Sequence, residues 1–197
     1  MIKAVLLDVD GVILKKRKKH FSQRLAKDYG IKVPMSFFRK IYPKVRVGRA
    51  DLKSELAKRM REWGWQKSVE ELLNYWFSPE NRINNQVLDS VQKLRRRGIK
   101  CYIISDNSKY RADDLMKNVL GNFFDGGFFS CNLGHTKEEK KFFKIVLKKI
   151  NLKPEDILFV DDEKGNTEVA KSVRINAFFY ESFEDFKGIL LRLIKKI

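Results

Sequence analysis

Ile2-Lys3-Ala4-Val5-Leu6-Leu7, running into Asp8-Val9-Asp10-Gly11-Val12, is the stretch from which the rest of the chain can be read. Its first part is a short apolar run without polar alternation, the pattern of a parallel strand covered on both faces. Its second part delivers two carboxylates, Asp8 and Asp10, to the end of that strand, where extended backbone would put them on one face. A glycine then lets the chain turn away. Working outward, four further runs have the same character: Ile99–Ile104, Gly127–Ser130, Ile157–Val160 and Ile175–Tyr180. Between them lie helical patterns. Asn85–Arg97 carries Val87, Val91 and Leu94 on one face and stops at Gly98. Glu139–Ile150, Thr167–Val173 and Phe183–Ile197 follow, the last with Lys195 and Lys196 at the negative end of its dipole. Strand alternating with helix predicts an α/β fold, a three-layer Rossmann-like parallel sheet.

One segment interrupts the alternation. Residues 15–82 hold no convincing strand but fit helices at Phe21–Tyr29, Met35–Ile41, Asp51–Trp63 and Val69–Phe77, with Gly30, Pro34, Pro43, Gly48, Gly64 and Pro79 as breakers. The expected division is therefore a core of 1–14 and 83–197 with a small helical cap, 15–82, inserted after the first strand.

The 197 residues are 43% hydrophobic, enough to bury a core, and no apolar run is long enough to cross a bilayer. With 42 basic and 25 acidic residues the net charge is +17, most of it in the insert. That charge favours anionic ligands. The two cysteines, Cys101 and Cys131, adjoin apolar runs and read as buried thiols. The N-terminus lacks a signal-peptide layout, so a cytoplasmic location is expected.

Ligands of open α/β sheets bind beyond the carboxyl ends of the strands. Those ends carry Asp8 and Asp10, then Ser105-Asp106-Asn107, then Lys137 after the third strand, then Asp161-Asp162 with Asn166. Four carboxylates at one rim repel one another unless a cation lies among them. With oxygen donors and neither histidine nor thiolate, Mg²⁺ is the expected ion, held by Asp8, Asp10, Asp161 and Asp162. A carboxylate so placed can attack phosphorus, and its neighbour can move the proton of the leaving oxygen. Ser105 and its neighbours can bind the phosphoryl oxygens, and Lys137 can neutralise the charge that gathers there.

These residues resemble the four ordered motifs of the haloacid dehalogenase superfamily: Asp8-Val9-Asp10-Gly11-Val12, Ile103-Ile104-Ser105, Lys137, and Phe159-Val160-Asp161-Asp162 with Asn166. The insert is similar to that superfamily's helical cap of the first type. Asn84–Lys109, Gly134 and Asp161–Asn166 are similar to bacterial sugar-phosphate phosphatases and to the N-terminal phosphatase domain of soluble epoxide hydrolases. The resemblance implies Asp8 as nucleophile and metal ligand, and Asp10 as general acid/base with its backbone carbonyl on the metal. It implies Ser105 as phosphate ligand, Lys137 as the bridge between nucleophile and phosphate, and Asp162 as direct metal ligand with Asp161 beside it. An acid at position 10 implies a phosphatase or phosphomutase, since halide displacement needs no proton donor. Three features depart from the pattern. Asp106 stands where relatives often have Asn, Glu138 follows the lysine in place of Pro, and Lys140 and Lys141 lie one turn beyond it.

The leading expectation is a Mg²⁺-dependent phosphohydrolase of a small phosphorylated metabolite, monomeric or homodimeric, with no membrane partner. A phosphomutase shares its covalent step. The charge and the run Lys15-Lys16-Arg17-Lys18-Lys19 also suit nucleic acid or a nucleic-acid-end phosphatase, although no nucleic-acid motif is present. Phe37, Phe38, Trp63, Trp65 and Trp76 read as core packing rather than base-stacking groups. The stripe of Phe183–Ile197 suits packing on a sheet better than a membrane surface. The basic run, close after Asp10, is expected at the mouth of the site, steering anions toward it or serving as plain linker.

Overall fold

A computed structural model describes residues 1–194 of the chain. Five parallel strands, β1 Ala4–Asp8, β2 Lys100–Ser105, β3 Gly127–Phe129, β4 Ile157–Asp161 and β5 Asn176–Phe179, form one sheet in the order β3-β2-β1-β4-β5. β1 is wholly buried, as its uninterrupted apolar sequence requires. Its side chains alternate between two cores. Val5 and Leu7 join Val87, Val91, Leu94, Phe186 and Leu190 on one face, while Ala4 and Leu6 join Phe142, Phe143, Val146 and Phe159 on the other. The first face is covered by helices Asn85–Arg96 and Phe183–Ile194, the second by Lys140–Ile150 and Lys164–Lys171. The last-named helix begins three residues before the expected Thr167. Phe183–Ile194 packs on the sheet through Phe186 and Leu190. Lys195, Lys196 and Ile197 lie outside the described residues. Among the described residues no helix is long and apolar enough to cross a membrane.

Register brings the motifs together. Asp8 pairs with Ile104, so Ser105 lies one step further along β2, and Leu7 pairs with Val160, which sets Asp8 level with Asp161. Three adjacent central strands thus end in Asp8, Ser105 and Asp161.

Between β1 and β2 the chain forms helices at Phe21–Tyr29, Tyr42–Arg46, Leu52–Ala57, Met60–Trp63 and Val69–Phe77 around their own apolar cluster. That cluster includes Phe21, Leu25, Phe37, Leu56, Leu72 and Trp76. Two expectations need correction here. Pro43 does not break the chain: a π-helical turn, Phe37–Ile41, closed by Tyr42 N–H on the Phe37 carbonyl, runs directly into Tyr42–Arg46. The proline falls in the first turn of that helix, where a missing N–H costs little. Asp51–Trp63 is two helices rather than one. Asp51 caps the first, accepting from Ser54 N–H at 2.8 Å, and the chain breaks at Lys58-Arg59.

The insert is tied to the sheet at both ends. Leu14 bridges antiparallel to Ile83, Lys15 N–H donates to the Arg82 carbonyl at 2.7 Å, and Asn84 N–H to that of Ile13 at 2.8 Å. It also docks beyond β3. Ser130 Oγ donates to the Arg46 carbonyl at 2.7 Å, and Gly48, at φ +71°, lies so close to the Cys131 carbonyl that a Cβ would collide. Cys131 is half-buried and Cys101 buried, both as free thiols.

Candidate active site

Asp8, Ser105, Asp106, Asn107 and Lys137 line one polar pocket of about 210 Å³ at the carboxyl edge of the sheet, together with Asp10, Arg17, Tyr42, Arg46, Glu163 and Asn166. At its floor the Lys137 ammonium bridges two buried carboxylates, donating to Asp8 at 2.5 Å and to Asp161 at 2.7 Å. Lys140 and Lys141 are exposed, so Lys137 is the lysine that reaches the carboxylates. Burial opposes its charge, but Asp8 and Asp161 outweigh that and raise its pKa. Burial pushes Asp8 well above the usual carboxylate range, with Lys137 pulling against it and Asp161 and Asp10 adding to it.

Asp161 is held on all sides. Besides Lys137 it accepts from Glu163 N–H at 2.7 Å and from the Asn166 amide at 3.2 Å. Asp162 is partly exposed and pairs with Lys16 at 3.4 Å. Gly11, at φ +98°, allows the loop after β1 to lie against the Asp162 carboxylate, where any Cβ would clash. Oxygens of Asp8, Asp161 and Asp162 all lie within 4.8 Å of one another. Three carboxylates in so small a space, with one internal lysine, are a donor set suited to a hard divalent cation. The Asp10 carboxylate is not part of that group, which leaves its backbone carbonyl as the atom expected to face a cation. It pairs with Arg17 at 3.2 Å and accepts from the Asn107 amide at 3.4 Å. The turn that begins after Asp8 carries it toward the insert.

The residues after β2 divide the work. Asn107 also donates to Ser105 Oγ at 2.7 Å, fixing that hydroxyl within the pocket. Asp106, grouped with the phosphate ligands from sequence, lines the pocket, and its carboxylate accepts from the backbone N–H of Lys137 at 3.1 and 3.2 Å. A carboxylate so engaged positions the lysine, and burial raises its pKa.

Four contributors were missed or left without a role. Arg17 joins Asp10 to Glu80, at 3.2 and 3.3 Å, and these acids keep its pKa raised despite burial. Tyr42 is pushed up to about 12 by burial and by Asp10. Arg46 and Glu163 complete the lining. Tyr42 and Arg46 carried no sequence signal, since nothing local distinguishes them from other residues of a basic helical segment.

The chain is similar to known proteins. The family described as haloacid dehalogenase-like hydrolase matches residues 2–173. The phosphorylated carbohydrates phosphatase of Thermotoga maritima is 25% identical over 196 residues, covering 96% of this chain and 90% of that protein. The D-ribitol-5-phosphate phosphatase of Bacteroides thetaiotaomicron is 23% identical, covering 95% and 96%. Among solved structures, a HAD family enzyme of Bacteroides thetaiotaomicron in a magnesium complex superposes with a TM-score of 0.79 at 22% identity, covering 95% of this chain and 98% of the other. With the match spanning all four motifs of the core, the chain belongs to the haloacid dehalogenase-like hydrolases and is an enzyme of that family.

Proposed function

We propose that the protein is a Mg²⁺-dependent phosphatase of small phosphorylated substrates, working through an aspartyl-phosphate on Asp8. The observation that carries this reading is the Lys137 ammonium bridging Asp8 and Asp161 beside a fixed Ser105 hydroxyl, in a pocket large enough for a phosphoryl group. The two curated relatives are named for phosphorylated carbohydrates and for D-ribitol 5-phosphate, which supports the substrate class.

A carboxylate oxygen of Asp8 attacks phosphorus, and the bond from phosphorus to the leaving oxygen breaks. Asp10 gives its proton to that oxygen, releasing an alcohol. Asp10 then takes a proton from water, whose oxygen attacks the same phosphorus and frees phosphate and the Asp8 carboxylate. Ser105 and Asn107 donate to the phosphoryl oxygens, and Lys137 offsets their charge. Asp8, Asp161 and Asp162, with the Asp10 backbone carbonyl, would hold Mg²⁺, which when bound supplies further positive charge to the phosphoryl oxygens. Residues 15–82 act as the cap, bringing Arg17, Tyr42 and Arg46 over the strand ends. Hydrolysis of 4-nitrophenyl phosphate with and without Mg²⁺ tests the reading. Metal-dependent turnover absent from an Asp8→Asn control supports it, and equal rates in the two proteins would refute it.

A further inference from the structure

The phosphoryl pocket opens beside two larger hollows that catalysis does not use, and Arg17 borders all three. The first hollow, of about 410 Å³, is walled by Phe38, Tyr42, Trp76 and Phe77 and shares Asn107 with the phosphoryl pocket. Arg111 also lines it. Its side chain is 2% exposed, and one guanidinium nitrogen donates to Asn81 at 2.5 Å and Asp114 at 2.9 Å. The other terminal nitrogen is buried without any partner. The Arg111 guanidinium carbon lies 5.4 Å from the centre of the Phe77 ring, so a buried cation backs the aromatic wall.

The second hollow, of about 300 Å³, is lined by Lys15, Lys18, Lys19, Lys27 and Arg82 beside Arg17 and Arg24. The first five are exposed, and among the described residues none has an acidic partner. The two acids present are already engaged. Asp28 accepts from the Tyr75 hydroxyl at 2.7 Å, and Glu80 lies between Arg17 and Arg24 at 3.3 and 3.2 Å. The field of this hollow is therefore strongly positive.

Resting on the phosphatase reading, we propose that the substrate is a nucleotide bearing a second phosphate. The scissile phosphate enters the polar pocket, the base lies against the aromatic wall, and the second phosphate lies over the cationic hollow. A base offers a flat π-face together with carbonyl or ring-nitrogen acceptors. A polyol phosphate has neither the flat face nor the second charge. The same chemistry is found in a free nucleoside bisphosphate and at the phosphorylated end of a strand.

The experiment compares kcat/KM for 4-nitrophenyl phosphate, glycerol 3-phosphate, adenosine 5′-monophosphate, adenosine 3′,5′-bisphosphate and a short 5′-phosphorylated oligothymidylate. At low salt one or both of the last two should exceed the monophosphate by roughly tenfold or more, with an advantage that falls as salt rises. Preference for the bisphosphate marks the free nucleotide as the source, and preference for the oligonucleotide marks the strand end. Replacing Lys15, Lys18, Lys19, Lys27 and Arg82 with Gln should bring the ratio to the monophosphate within about twofold of unity. Parity of all phosphates in the unaltered protein would overturn the proposal, as would a quintuple variant that keeps the advantage. If 4-nitrophenyl phosphate itself is not hydrolysed, the phosphatase reading fails. Anisotropy of a labelled oligothymidylate across a salt series then tests the hollow separately: salt-sensitive binding lost in the quintuple variant supports it, and no binding overturns it.

Discussion

On the strand side of the pocket, Asp8, Lys137 and Asp161 are shut off from solvent and joined at 2.5 and 2.7 Å. On the insert side, Arg17 meets Asp10 at 3.2 Å with both side chains about a third exposed, and Arg46 approaches Glu138 at only 3.9 Å. The strand side is fixed by β-sheet register and by burial that leaves each charge one place to go. The insert side is fixed by long side chains reaching across a boundary between two apolar clusters, with water able to compete. Buried pairs of the first kind cost several kcal/mol to break, about 3–5, whereas pairs of the second are worth ~1 or less. On the proposed reading the nucleophile and its lysine lie on the rigid side, while the general acid/base, Asp10, is held from the adjustable one.

Substitutions that probe this contrast differ in size. Asp8→Asn removes the attacking oxygen's charge while keeping the shape, and turnover should fall to background, beyond about 10⁴-fold, with circular dichroism unchanged. Asp10→Asn should slow hydrolysis by about 10²–10⁴ with alkyl phosphates. The loss should be smaller with 4-nitrophenyl phosphate, whose leaving group needs little protonation. Equal losses on both would remove Asp10 from proton transfer. Lys137→Met leaves two buried carboxylates facing each other. It should lower kcat by about 10²–10³. Thermal melting should show a destabilised protein that gains more from added Mg²⁺ than the unaltered one does, since the cation then supplies the missing charge. Arg46→Gln, on the insert side, should change KM by less than about tenfold and leave kcat in place, with the effect shrinking as salt rises. A kcat loss at Arg46 as large as that at Lys137 would erase the distinction between the two sides.

The same contrast explains what could be read from sequence. Asp8, Ser105 and Asp161 each end an apolar run, and in a parallel sheet the run's end is also the site's position, so local pattern and tertiary place coincide. Lys137 could be named but not separated from Lys140 and Lys141, because the contacts that hold it inward, with Asp106, Asp8 and Asp161, all come from distant parts of the chain. Asp106 itself read as a phosphate neighbour because position suggested it, and its carboxylate direction is set by a loop many residues away. On the insert side nothing local helps. Arg17 sat in a run of five cations, and its selection over its neighbours depends on Glu80, on the far side of the insert. Pro43 carried a misleading signal, since a π-helical turn ahead of it absorbs the defect that prolines usually impose.

The seam at Leu14 and Ile83 decides which part of the chain can vary on its own. There the chain leaves the sheet and returns to it side by side, with Lys15 and Asn84 each bonded across the gap. A change of length between those two points leaves the strand pairing itself untouched, because no strand of the sheet lies there. A version shortened to a simple turn at this seam should keep the strand ends in register while removing Arg17, Tyr42 and Arg46 from the pocket.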